Sequence, residues 1–162
     1  MLTNNRNKFK LLREMIRSFK ESDLQDIETI YEKSNNALSL NVEPGFFSRD
    51  RKKFTSETIR SCRSIVCERE GKVVGIIAVS HGCIEGLFVL PEYWDNGIGT
   101  ELLNSIPDIK EELYLQVYSD NERAVGFYKK HGFKIVGNGV CQATRLPYFE
   151  MVRASEEQET AL

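Results

Sequence analysis

The stretch CIEGLFVLPEYWDNGIGT, residues 83–100, decides the architecture. Residues 83–89 are rich in β-branched and aromatic side chains and read as a strand that ends at Pro91. Gly97 and Gly99 follow at the point where a helix begins, with Ile98, Leu102, Leu103 and Ile106 on one face until Pro107 stops it. The next strand is residues 113–117, LYLQV. Strand, helix, strand implies a parallel crossover, because parallel neighbours cannot be joined by a tight turn.

Upstream, Ile65-Val66-Cys67 and residues 73–79 read as strands joined at Glu70-Gly71-Lys72, and His81-Gly82 turns the chain again into residue 83. The sheet therefore starts as an antiparallel meander. Residues 15–19, MIRSF, alternate as a strand does, and Ser22-Asp23-Leu24-Gln25 reads as a helix start. The helix runs to about Ser34, with Leu24, Ile27, Ile30 and Tyr31 on one face. Pro44-Gly45-Phe46-Phe47 is a turn signal with adjacent aromatics, an irregular segment of the kind that lines sites, and a charged helical segment spans residues 49–63.

Downstream, residues 121–131 form a short helix closed by Gly132, then a strand at 133–136, a turn at Gly137-Asn138-Gly139 and a last strand near 148–152. The expected fold class is mixed α/β (α+β): a mostly antiparallel sheet with helices on both faces. Residues 1–14 read as a flexible extension, 15–153 as a single domain and 154–162 as an acidic mobile tail.

Composition narrows the function. Lys and Arg number 22 against 24 Asp and Glu, so no basic field exists to hold a nucleic acid. Cys62, Cys67, Cys83 and Cys141 have no paired short spacing, and with His81 and His131 they make no zinc pattern; no metal is expected. No run approaches the ~18 apolar residues of a membrane span and no signal peptide is visible, so the expected compartment is the cytoplasm.

The glycine loop at 97–99 suits an anion. Free N–H groups of a first helical turn and the positive end of the helix dipole converge there. Taken alone, Gly-x-Gly fits a tight turn with close packing equally well, and it is neither a Walker loop nor a dinucleotide fingerprint.

The second motif is residues 117–133, VYSDNERAVGFYKKHGF. Its order, apolar strand, Asn121, Ala124, Phe127-Tyr128, Gly132-Phe133, arriving after Val89-x-Pro91 and Gly97-Ile98-Gly99, resembles the GNAT superfamily of N-acetyltransferases. Thr144-x-x-Pro147 resembles the ending of its small, single-domain bacterial members. The resemblance implies a sheet with a splayed parallel strand pair, acetyl-CoA as cofactor, and direct acetyl transfer to a primary amine of a protein lysine, a protein N-terminus or a small molecule.

Residue by residue, the resemblance implies that Phe88 and Val89 pair their backbone with the pantetheine arm. Asp95, Asn96, Gly97, Ile98, Gly99 and Thr100 hold the pyrophosphate, and Asn121 lies near the pantetheine. Tyr128, close to the CoA sulfur, is the implied acid. The sequence departs from the family pattern at Trp94, where an Arg or Gln usually opens the loop.

Glu85 is a candidate base, alternating on one face with Cys83 and Leu87, and its other reading is a surface carboxylate. Cys83 as a covalent nucleophile is disfavoured because neither Lys nor Arg flanks it. Phe46, Phe47, Gln116, Tyr118 and Tyr148 are candidates for the acceptor cleft, with core packing as the competing reading for the aromatics. A non-catalytic acyl-CoA-binding sensor stays open as an alternative, motivated by Trp94. No nucleic acid or membrane partner is expected, and the protein is expected to be a monomer or a homodimer.

Overall fold

The computed structural model describes residues 16–107 and 109–157. Met15, the extension 1–14 and the tail beyond residue 157 lie outside the described residues. The strands are β1 (Ile16–Ser18), β2 (Arg63–Arg69), β3 (Lys72–Ser80), β4 (Cys83–Val89), β5 (Leu113–Tyr118), β6 (Lys134–Val140) and β7 (Pro147–Arg153). The helices are α1 (Leu24–Asn36), α2 (Phe46–Lys53), α3 (Ile98–Ser105) and α4 (Glu122–Lys130). One sheet runs β1-β2-β3-β4-β5-β7-β6, antiparallel throughout except for the parallel pair β4 and β5.

From Val73 to Val79, β3 is buried at every residue, as expected of a central strand covered on both sides. The Phe88 ring meets Tyr31 of α1 at 5.2 Å and Phe54 at 5.3 Å, which places α1 and α2 on one face. The adjacent pair Gly75 and Val89 looks the other way, and a Cβ on Gly75 would lie 3.0 Å from Leu102 of α3. Helices therefore cover both faces, as the pattern indicated.

Four local expectations change. Phe46 and Phe47 are not in an irregular loop: they open α2, which continues through a π-helical stretch, Phe54–Thr58, to a last turn, Ile59–Ser61. The reason lies in the spacing of Phe47 and Phe54, seven residues apart on one helix face, with Tyr31 packed between them at 6.4 and 4.9 Å.

Gly137-Asn138-Gly139 is strand rather than turn, paired residue for residue with Glu150, Phe149 and Tyr148. A Cβ on Gly139 would sit 2.5 Å from the Tyr148 hydroxyl, so glycine is required by what crosses it. The turn comes later, where Arg145 N–H donates to Cys141 O at 2.8 Å and Cys141 N–H to Leu146 O at 2.9 Å.

Strict alternation along β4 also fails. A bulge opposite Ala78 and Val79 inserts Glu85 as an extra residue, so Cys83 pairs with Ser80 and Leu87 with Ile77. Ser80 and Ile77 are three residues apart, which turns Cys83 and Leu87 to opposite faces. Glu85 keeps company with Cys83 alone.

At the start of α1, Asp23 rather than Ser22 holds the N-cap position, and its side chain turns back over the 3-10 turn Glu21–Asp23 instead of bonding into α1. Its buried carboxylate accepts from Lys20 N–H at 2.8 Å and from the Arg17 fork at 2.8 and 2.9 Å. No helix among the described residues is long and apolar enough to cross a membrane.

Candidate functional site

The parallel pair is a pair in name only. β4 and β5 meet at Cys83 and Tyr114, with Tyr114 N–H donating to Gly82 O at 2.9 Å, and then diverge. Toward Val89 the β5-facing edge of β4 is left without a ladder partner. Such an edge presents backbone donors and acceptors to whatever enters. A cleft of about 1190 Å³ opens there, floored by β4 and walled by α1, α2, the loop before α3, α4, and the turn after β6.

At one end of the cleft Gly97 caps α3 with φ of 79°, a conformation that costs a side-chain-bearing residue about 1–2 kcal/mol. A Cβ there would meet nothing within 4 Å, so the space in front of the helix is open. The N–H groups of Ile98, Gly99 and Thr100 point out of the first turn without helical acceptors. Gly99 serves packing instead: a Cβ on it would press to 3.2 Å on the Phe127 ring of α4.

Thr100 and His131 tie the two helices together. His131 Nδ1 lies 2.8 Å from Phe127 O and must carry the hydrogen, because a carbonyl only accepts. The other nitrogen, Nε2, lies 3.0 Å from Thr100 Oγ1.

The loop residues divide by role. Trp94 donates its indole N–H to Val89 O at 2.8 Å, clamping the loop onto the end of β4. Arg123 of α4 stacks over the Trp94 ring at 4.4 Å and reaches Asp95 Oδ1 at 2.8 Å. The cation absent at position 94 is thus present in space, delivered from α4. Asn96 bonds back to Trp94 O at 3.0 Å and is not part of the cleft wall, unlike Asp95, Gly97, Ile98, Gly99 and Thr100. Asn121 caps α4, its Oδ1 accepting from Ala124 N–H at 3.1 Å, and also faces the cleft.

Tyr128 lines the middle of the cleft, only 7% exposed. Burial alone pushes its phenol well above the usual tyrosine range. It therefore carries a proton at any ordinary pH. Glu85 is exposed on the β4 bulge and lines the same space. Burial, then the charge and hydrogen bond of Glu85, push the Cys83 thiol up to about 12, which makes Cys83 a poor nucleophile.

Phe46, Phe47, Gln116 and Tyr148 all line the cleft. Gln116 Nε2 donates to the Tyr114 hydroxyl at 3.1 Å, and that hydroxyl to Glu150 at 3.0 Å. Tyr118, the other aromatic expected at the acceptor cleft, lines it too, whereas three further residues escaped the sequence reading: Tyr31, Asp50 and Cys141. The Tyr31 hydroxyl donates to the Asp50 carboxylate. Burial pushes the Cys141 thiol up, but hydrogen bonds from Thr144, Ala143 and Tyr118 outweigh it and hold the thiol below its ordinary value. Only Asp50 had a legible signal, a carboxylate at helical spacing between Phe47 and Phe54.

Comparison with known proteins agrees with this geometry. A model of the acetyltransferase (GNAT) family matches residues 24–133. The chain is 31% identical to peptidyl-lysine N-acetyltransferase YiaC of Escherichia coli over 57% of its own length and 64% of that protein. It is 32% identical to an N-alpha-acetyltransferase of Sulfurisphaera tokodaii over 70% of this chain and 77% of that one. The solution structure of apo-form YjaB from Escherichia coli superposes with a TM-score of 0.71 and 25% identity, covering 86% of this chain and 97% of that one. In sequence, the match spans 51% of peptidyl-lysine N-acetyltransferase YjaB of that organism, so the chain covers about half to two-thirds of these two curated relatives.

Proposed function

This chain belongs to the acetyltransferase (GNAT) family, and from that premise we propose that it moves the acetyl group of acetyl-CoA directly to a primary amine, on a protein lysine, a protein N-terminus or a small molecule. The reading rests on one observation: a strand edge left open by the splay of β4 from β5, running from a helix start that offers free N–H groups to a buried phenol.

The residues present suit acetyl-CoA, which supplies the activated acetyl group as a thioester. Ile98, Gly99 and Thr100 offer backbone N–H groups to a pyrophosphate, with Arg123 and Lys130 as the cations that face the cleft. On the unpaired β4 edge Val89 has its N–H left for an amide-bearing arm, its carbonyl being held by the Trp94 indole, and Phe88 lines the same stretch of the cleft. The same edge holds backbone N–H groups where charge develops on a carbonyl oxygen, preorganised because the strand is anchored on β3. Tyr128 keeps a proton at its phenol oxygen and can release it to a leaving atom. Glu85, exposed beside the opening, can take the amine's proton through water.

Trp94 motivated the alternative of a non-catalytic sensor. Arg123 stacked on it supports the catalytic reading, because the loop end does not lack a cation.

Calorimetric titration with acetyl-CoA, with NAD and ATP as controls, tests the proposal before any acceptor is known. Selective binding, followed by acetylation of members of an amine and lysine-peptide panel, is expected. No heat at millimolar acetyl-CoA overturns it.

A further inference from the structure

Asp50 is placed where a carboxylate is least expected. It stands three residues after Phe47 and four before Phe54, both only 6% exposed, and so on the apolar face of α2. Its neighbours Arg49 and Arg51 turn away, to Glu43 at 3.1 Å and Glu32 at 2.5 Å. Asp50 takes part in none of the ion pairs among the described residues. What it has is the Tyr31 hydroxyl, a neutral donor, and an opening onto the cleft.

We propose that Asp50 anchors a second positive charge on the acceptor, so that the cleft selects amines bearing a further cationic group. The inference deepens the acetyl-transfer reading and rests on it. A carboxylate half-removed from water is stabilised by a charged donor far more than by a phenol alone. Here no residue supplies that donor, and the ligand is left to do so. Tyr118 faces Asp50 as well: burial, with the charge of Asp50 contributing, pushes the phenols of Tyr31 and Tyr118 up, so both stay neutral and neither brings a positive charge to the carboxylate.

Position separates this anchor from the reacting amine. The Tyr31 ring packs on the Phe88 ring at 5.2 Å and its hydroxyl then reaches Asp50, so the carboxylate stands off the β4 edge by about one tyrosine side chain. The attacking amine must be neutral, and a carboxylate in contact with it would hold it as an ammonium. At this distance Asp50 holds charge without suppressing the nucleophile.

Three probes with the same five-carbon chain test the idea: 1,5-diaminopentane, n-pentylamine and 5-aminopentanoate, whose far ends are cationic, uncharged and anionic. With saturating acetyl-CoA, the wild-type protein should show kcat/KM about tenfold higher for the diamine than for pentylamine, beyond the factor of about two from its two ends, and lowest for the amino acid. Asp50→Asn should collapse the diamine-to-pentylamine ratio toward that statistical factor, through KM. Equal rates per amino group in the wild type, or a ratio that survives Asp50→Asn, overturns the proposal. If Asp50→Asn does not fold, the wild-type comparison still decides. Wild-type protein that binds acetyl-CoA by calorimetry but acetylates none of the three also overturns it, whereas absence of acetyl-CoA binding overturns the acetyl-transfer reading itself.

Discussion

The Arg123 guanidinium carbon stands 4.4 Å from the centroid of the Trp94 ring, while its Nη2 lies 2.8 Å from Asp95 Oδ1. A residue of α4 thereby occupies the mouth of a loop that precedes α3, and an indole serves as its platform. Asp95 neutralises the guanidinium for as long as no stronger anion is present. A phosphate competes well for such a cation, because two charges and several oxygens face one exposed carboxylate.

Arg123→Ala is expected to raise the Kd for acetyl-CoA about tenfold and to flatten its dependence on salt, both read by calorimetry at two ionic strengths. The melting temperature should hardly move, since an ion pair this exposed contributes about 0–1 kcal/mol. Unchanged affinity and salt dependence would remove Arg123 from the binding site.

Tyr128→Phe should lower kcat on the order of a hundredfold while leaving acetyl-CoA affinity within a factor of about two. Burial pushes this phenol up, so wild-type activity should not fall through the ordinary tyrosine value of 10.0. Stability should. Tyr31, Tyr118 and Tyr128 are all pushed above 10.0 chiefly by burial, so above that pH the unfolded chain sheds protons that the folded chain retains. Stability then declines as pH rises, and urea melts from pH 9 to 11 measure the slope.

Asp23→Ala should destabilise the fold by about 2–4 kcal/mol, because it strips the Lys20 N–H of its acceptor and leaves the partly buried Arg17 with Glu68 as its one carboxylate. The hydrogen bonds from Arg17 hold the Asp23 carboxyl below its usual 3.8, against the opposing effect of burial. Its contribution is therefore complete above that value and lost as pH falls through the lowered one. Wild type and variant should converge in stability on acidification; curves that stay parallel down to pH 2 would contradict this.

Gly97→Ala should cost about 1–2 kcal/mol from the positive φ alone, since nothing crowds the added methyl. A melting temperature equal to wild type would mean that the loop relaxes.

Iodoacetamide at pH 8 should modify Cys141 before the other thiols. Its hydrogen bonds favour the thiolate, whereas burial pushes Cys67 up to about 11 and, with Glu85, Cys83 up to about 12. Peptide mass spectrometry over time gives the order, and acetyl-CoA should slow the reaction if the ligand fills the cleft that Cys141 lines. Faster labelling of Cys83 would contradict the ordering.

Much of the fold is legible in local pattern. Residues 83–89 form β4 as read, the two turns at Glu70-Gly71 and His81-Gly82 have positive φ at all four residues, and Pro107 follows the end of α3. What misled was local pattern overridden from across the sheet. Gly137 and Gly139 carry a turn signal, yet lie in a strand because Glu150 and Tyr148 occupy the space their side chains would need. Phe46 and Phe47 follow Pro44-Gly45, yet start a helix because Tyr31 receives Phe47 and Phe54 together.

By itself the sequence determined the order of strands and helices, the crossover, the glycine-started helix and the motif around Tyr128, since each is written in residues a few positions apart. Tertiary structure alone decided which side chains share the cleft. Arg123 answers Trp94 from 29 positions away, Asp50 meets Tyr31 across two helices, and Cys141 gains its hydrogen bonds from Tyr118 and a later turn. The physical reason is that charge and hydrogen bonding act over a few ångströms of space, and only the closing of the sheet and the packing of α1, α2 and α4 around it set those distances.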